Sequence, residues 1–62
     1  MNYTELKSMT TAELKAREDK VRTALWWLDM ADHFTPQERA QHDTLQTELL
    51  DLLHLLHERG AA

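Results

Sequence analysis

The stretch Phe34-Thr35-Pro36-Gln37-Glu38 divides the chain into two helical segments. Thr35 has the side chain of a helix N-cap, Pro36 stands at the first helical position, and Glu38 completes a capping box. Downstream, four leucines repeat with the period of one helical face, at spacings of four, three and four: Leu45, Leu49, Leu52 and Leu56. The pattern predicts a helix over about residues 36–59.

A second capping box lies upstream, where Thr10 is followed three residues later by Glu13. The apolar residues that follow it also share one helical face: Leu14, Val21, Leu25 and Leu28. This stripe predicts a first helix over about residues 11–33, followed by a turn at 33–35. Residues 1–9 remain as an N-terminal lead-in.

A short turn between two long helices requires them to pack antiparallel, so residues 10–62 are expected to form a two-helix hairpin of the all-α class. Arg59 and Gly60 provide a cation in the last turn and a left-handed stop for the second helix. In the lead-in, Asn2 can cap one short turn that lays Leu6 against the open end of the hairpin.

The composition excludes several classes of function. There is no cysteine among the 62 residues, which excludes disulfides, thiolate metal sites and cysteine nucleophiles. Eleven acidic and seven basic residues give a formal charge of −4, which argues against mainly electrostatic binding to nucleic-acid phosphates. No apolar run approaches the roughly 20 residues of a membrane span. We therefore expect a soluble, cytoplasmic protein that does not bind membranes. The acidic charge also disfavours nucleic acid as its partner.

Each helix carries a second apolar stripe, so its apolar arc is too broad for a single neighbour. A chain of this length buries only about 60% of its unfolded surface, and a second copy would add the missing burial. We expect a homodimer that forms a four-helix bundle, with a loose monomer or a subunit of a different complex as the alternatives. The residues expected in the dimer interface are Trp27, Ala24, Ala31 and Phe34 on the first helix, and Gln46, Leu50, Leu53 and His57 on the second.

The histidines and carboxylates do not predict a metal site or an active site. His54 and His57 are three residues apart, but zinc usually needs three or four ligands with fixed supporting contacts. The acidic pairs lie near solvated faces, without an enclosed pocket that would tune them for catalysis: Glu18 with Asp19, and Asp29 with Asp32. We expect no catalytic residues, no metal and no cofactor.

Trp26 is the strongest functional candidate in the chain. It lies about 150° from the centre of its helix's core stripe, with Arg22 one turn before it and Met30 one turn after it. Trp, Met and Arg are enriched where proteins bind proteins. The expected partner-binding surface is completed by acidic residues: Asp29, Glu18, Asp19 and Asp32. The competing interpretation is that Trp26 only covers the stem of Arg22, or is buried by the dimer.

In length, acidity and two-helix plan, the chain resembles small phage-encoded helical-hairpin dimers, the anti-activators of host LuxR-type quorum-sensing regulators. The resemblance implies a non-enzymatic inhibitor whose dimer covers a basic surface of a host protein, such as the DNA-binding domain of a transcription factor. Two other functions stay open. One is an RNA- or DNA-binding four-helix dimer of the plasmid-copy-control type, and the other is a structural assembly subunit.

Overall fold

The computed structural model describes residues 2–31 and 33–61. These two ranges contain three helices and no strand: α1 (Tyr3–Lys7), α2 (Thr11–Asp29) and α3 (Pro36–Glu58). The predicted all-α class is confirmed.

Both predicted capping boxes form. The hydroxyl of Thr10 accepts the backbone N–H of Glu13 at 3.1 Å, and the carboxylate of Glu13 accepts the backbone N–H of Thr10 at 3.0 Å. Thr35 and Glu38 make the same two bonds at 3.1 and 3.2 Å. The hydrogen bonds from the backbone and hydroxyl of Thr10 lower the pKa of Glu13 from its ordinary value of 4.5. The two long helices therefore begin where local chemistry predicts.

The end of α3 is also fixed locally, at a left-handed glycine. Gly60 has a φ of +70°, a conformation that costs glycine little and other residues more. Its N–H donates to the carbonyl of His57 at 3.0 Å, and the N–H of Ala61 donates to that of Leu56 at 2.8 Å. These are the two bonds of a Schellman motif, and Ala61 packs on the core as that motif favours.

The first long helix is shorter than the sequence predicts. α2 ends at Asp29 with Met30 as its C-cap and does not continue to about residue 33. The Thr35 capping box fixes the start of α3 at Pro36, and Phe34 just before it contacts α3 and does not extend α2. The connection is instead tied to α3. The rings of Phe34 and His42 lie 5.4 Å apart, and His42 Nε2 lies 2.9 Å from Asp29 Oδ1.

The contacts between α2 and α3 show that the two helices run in opposite directions. Asp29, at the end of α2, meets His42, near the start of α3. Arg17, in the first half of α2, meets Glu48, in the second half of α3. A contact made by an earlier residue of α2 is thus made with a later residue of α3, which only antiparallel packing allows.

The core is one layer of aliphatic side chains between the helices. Its buried members are Leu6, Leu14, Val21, Leu25, Leu52, Leu55 and Leu56, with Met9, Leu45, Leu49 and Ala61 packed against them. Leu28 is half-buried. The short α1 packs against α3 and is held by Leu6, which has no exposed surface. The lead-in therefore closes the open end of the helix pair.

The core edge includes an ion pair that sequence reasoning missed. Arg17 donates from Nε to Glu48 Oε2 at 2.8 Å and from Nη2 to Oε1 at 3.2 Å. The side chain of Glu48 is only 3% exposed, and that of Arg17 is 31% exposed. Burial by itself raises the pKa of Glu48, but the hydrogen bonds and positive charge around it, foremost those of Arg17, outweigh burial and lower it from 4.5. The spacing of Glu48 from Leu45 and Leu52 placed it on the core face, which was the available signal.

Arg59 ties the end of α3 to the start of the chain. Its guanidinium donates to the backbone carbonyls of Met9 at 2.7 Å and Lys7 at 3.0 Å. These carbonyls lie at and just past the C-terminus of α1, where no helical partner is available to them.

Candidate protein-binding surface

The C-terminal part of α2 presents three large apolar side chains to solvent. Trp26 is 55% exposed, Trp27 is 64% exposed and Met30, the C-cap, is 58% exposed. At about 100° per residue, all three point to the side of α2 away from the Val21–Leu25 stripe that contacts α3. We call Trp26, Trp27 and Met30 the tryptophan surface.

The two tryptophans belong to one cluster. Their ring centroids lie 4.9 Å apart with the planes at 75°, an edge-to-face arrangement that aromatic pairs favour. The sequence interpretation had assigned Trp27 to the dimer interface and Trp26 to a separate partner surface. In the structure they stand on either side of the direction that points away from α3, so a single contact can use both.

Charged residues flank the tryptophan surface. Arg22 donates from Nε to Glu18 at 3.0 Å, one turn away on the same helix. Asp19 is exposed, and the Asp29 side chain is 63% exposed although it contacts His42. The remaining predicted member, Asp32, lies outside the described residues. Of the predicted charged partner-binding residues on α2, Asp19, Arg22 and Asp29 are exposed, whereas the side chain of Glu18 is only 20% exposed.

A shallow groove runs beside Trp27. It is lined by Asp19, Lys20, Thr23, Ala24 and Trp27. A second shallow groove continues along α2 toward its N-terminus, lined by Met9, Glu13, Ala16, Arg17 and Lys20. Sequence reasoning did not single out Thr23, although small side chains at positions 16, 23 and 24 indicate room beside the tryptophan.

The residues expected in the dimer interface do not form one surface on a single chain. Ala24 lies seven residues after Arg17 and so shares the side of α2 that carries the Arg17–Glu48 pair. Gln46 lies four residues after His42 and shares the side of α3 that carries the Asp29–His42 contact. Antiparallel packing puts these two contacts on opposite sides of the helix pair. The α2 group and the α3 group are therefore separated.

The members of these groups also differ in exposure. The exposed ones are Trp27, Ala31, Gln46, Leu50 and His57, whereas Ala24, Phe34 and Leu53 are half-buried. Phe34 lies in the connection beside His42 instead of on a continued α2. Leu50, at 66%, is the most exposed large apolar residue in the described part of the chain.

The remaining histidines make only local contacts among the residues that the structure describes. His54 Nε2 lies 3.1 Å from Glu58 Oε1, one turn away in α3, with both side chains mostly exposed. Within residues 2–31 and 33–61, no three His, Asp or Glu side chains come together as metal ligands. Over the same ranges, none of the helices combines the length and the apolar character that crossing a membrane requires.

Comparison of the chain with protein-family models, with curated proteins and with solved structures finds no match in any of the three.

Proposed function

We propose that this protein is a non-enzymatic protein-binding module that acts through the tryptophan surface. The observation that carries the proposal is the exposure of Trp26, Trp27 and Met30 together, at 55%, 64% and 58%. Exposed clusters of large apolar side chains are costly in water and typically mark interaction sites. Tryptophan is also the residue type most often found at the energetic centre of protein interfaces.

The shape of the surface favours a macromolecular ligand. Both grooves on α2 are shallow and open to solvent, whereas sites for small molecules usually enclose most of the ligand. The edge-to-face contact of Trp26 and Trp27 holds two rings in place before binding, which reduces the entropy lost when a partner docks.

The functional unit in this proposal is a homodimer. Antiparallel α2 and α3 form a helical hairpin, and two hairpins assemble into a four-helix bundle with α3 at its centre. The support is Leu50, which is 66% exposed and lies beside the half-buried Leu53 on α3. Leucines at this spacing are typical of helices that pair with another helix.

The partner that we propose is a host transcriptional regulator whose basic DNA-binding surface is covered by the dimer. A formal charge of −4 favours a basic partner, and the exposed Asp19 and Asp29 stand beside the tryptophan surface. Inhibition follows from steric occlusion, as the resemblance to phage anti-activators implies. This activity belongs in the cytoplasm of the host cell.

The test is release of operator DNA from a purified LuxR-type regulator. We expect increasing amounts of the protein to displace the DNA, with tryptophan emission shifting to the blue as Trp26 and Trp27 become buried. Trp26→Ala combined with Trp27→Ala should weaken release at least about 30-fold, the equivalent of one interface hot spot. Lys15→Ala, an exposed change elsewhere on α2, is the matched control and should leave release unchanged.

Two results would contradict the proposal. Failure of the wild-type protein to release DNA from the regulator would reject this class of partner. Direct, tight binding of the protein to the operator DNA, falling steeply with salt, would support the nucleic-acid-binding function in its place.

A further inference from the structure

The outer side of α3 carries a regular stripe of four residues, none of which is fully buried by the internal packing. Gln46, Leu50, Leu53 and His57 follow one another at spacings of four, three and four. Their common direction lies roughly 130° from that of the core stripe centred on Leu52. Gln46, Leu50 and His57 are exposed, and Leu53 is half-buried. We call these four residues the α3 stripe.

The α3 stripe has the spacing of a coiled-coil seam, and its order reads the same in both directions: polar, leucine, leucine, polar. A two-fold axis between Leu50 and Leu53 therefore brings two copies together with every position matched. Leu50 meets Leu53 of the partner subunit, and Gln46 meets His57 of the partner subunit. The amide of glutamine can donate to or accept from an imidazole, so the polar ends are satisfied in either protonation state of the histidine.

A parallel arrangement would match the stripe less well. It would place His57 against His57 of the partner subunit, and protonation of this pair would set two like charges against each other. Gln46 would likewise meet its own copy. The antiparallel arrangement keeps each histidine opposite an amide, while the leucines are buried equally in both.

The neighbouring registers of the antiparallel pair are also disfavoured. Moving one heptad toward the N-terminus of α3 sets Asp43 against Leu53 of the partner subunit and buries a carboxylate on an apolar surface. Moving one heptad the other way sets Leu50 against Gly60 of the partner subunit, beyond the end of α3 at Glu58. The register that pairs Leu50 with Leu53 avoids both losses.

We infer that two copies of this chain associate through antiparallel pairing of α3 with α3 of the partner subunit, in the register that opposes Gln46 to His57. The inference rests on the proposed homodimer and adds its orientation and register. Because the tryptophan surface lies on α2, on the side away from α3, it stays free in this dimer for another protein.

The chain has no cysteine, so introduced thiols report only the positions chosen. Gln46→Cys and His57→Cys are prepared separately, one with a tag that changes its size, and each is oxidised mildly alone and as a mixture. In the antiparallel register a residue lies about 16 Å along the helix from its own copy at position 46 or 57, which is too far for a disulfide. We expect disulfide-linked dimers in the mixture, composed of one chain of each variant, and none with either variant alone. Ala40→Cys, exposed on a different side of α3, should not cross-link in any combination.

Cross-linking of each variant with itself would overturn the antiparallel orientation. A dimer in sedimentation that gives no cross-link in the mixture would overturn the use of the α3 stripe. Wild-type protein that sediments as a monomer at micromolar concentration would overturn both this inference and the proposed homodimer. Operator release that persists in any of these cases shows that the tryptophan surface stands independently of the dimer.

A second variant tests the stripe without thiol chemistry. Leu50→Asp places a charge at the centre of the pairing in both subunits and should raise the dimer dissociation constant at least about 100-fold. Ala40→Asp adds the same charge elsewhere on α3 and should change it little. Equal dissociation constants for the two variants, each still helical by circular dichroism, would contradict the inference.

Discussion

The ion pair of Arg17 with Glu48 provides the sharpest test of how the helices are held together. Arg17→Met keeps most of the aliphatic stem but removes two hydrogen bonds to a carboxylate that is 3% exposed. Removing one member of a buried pair costs about 3–5 kcal/mol. Since the Arg17 side chain is itself 31% exposed and Glu48 retains other interactions, we expect about 2 kcal/mol.

Arg22 offers a matched control on the same helix. It is also bonded to a glutamate, at 2.9 Å, but Glu18 is one turn away and the side chain of Arg22 is 53% exposed. Pairs of this kind contribute about 0.3–0.5 kcal/mol, so Arg22→Met should be nearly neutral. The two variants separate the effect of a cross-helix pair from that of losing an arginine.

The assay is urea denaturation followed by circular dichroism at a fixed protein concentration, because dimerisation makes stability depend on concentration. A loss of about 2 kcal/mol corresponds to a fall of about 0.7–2 M in the urea concentration at the midpoint for a small domain. Arg17→Met combined with Glu48→Leu should recover much of the loss, since apolar replacement of both partners avoids a buried charge. If Arg17→Met loses no more stability than Arg22→Met, the reasoning is refuted.

Three further predictions concern single positions. The pKa of Glu48 is lower in the folded chain than its ordinary value of 4.5, so its contribution to stability is complete above pH 4.5 and is lost as the pH falls through the lower pKa of the folded chain. Glu48→Gln should therefore flatten the acid side of a plot of unfolding free energy against pH. An unchanged slope would contradict this prediction. Gly60→Ala should cost about 1 kcal/mol through its φ of +70° alone, since an added Cβ meets nothing within 4 Å, and Gly60→Asn should cost less in the same denaturation assay. Leu6→Ala should cost about 2–5 kcal/mol of unfolding free energy, because Leu6 has no exposed surface, whereas Tyr3→Ala, at a residue 37% exposed, should cost clearly less. A loss below about 1 kcal/mol for Leu6→Ala would show that α1 does not contribute to the core.

Much of the tryptophan surface was within reach of sequence analysis. The spacing of Trp26 and Met30 from the core stripe placed both on the solvent side of α2, and both are exposed. Only the structure showed that Trp27 belongs to the same surface as Trp26 and Met30. On a helical wheel, adjacent residues diverge by 100°, and only the actual position of α3 shows that both ring systems clear it and meet edge to face.

The sequence by itself determined the features that depend on neighbours within about four residues. The capping boxes at Thr10 and Thr35 and the left-handed stop at Gly60 set the helix ends, because each uses groups that are close along the chain in every conformation. The lengths of the helices followed from these ends, except at Asp29, where the connection to α3 intervenes.

Only the tertiary structure decided which groups meet across the chain. Arg17 and Glu48 are 31 residues apart, and Arg59 reaches Lys7 over 52, so neither contact has a local signature. The same holds for the expected dimer residues. Each stripe could be found on its own helix, but reversing the direction of α3 reverses the sense of its helical wheel. That reversal put Ala24 and Gln46 on opposite sides of the pair, and it left the α3 stripe as a surface of its own.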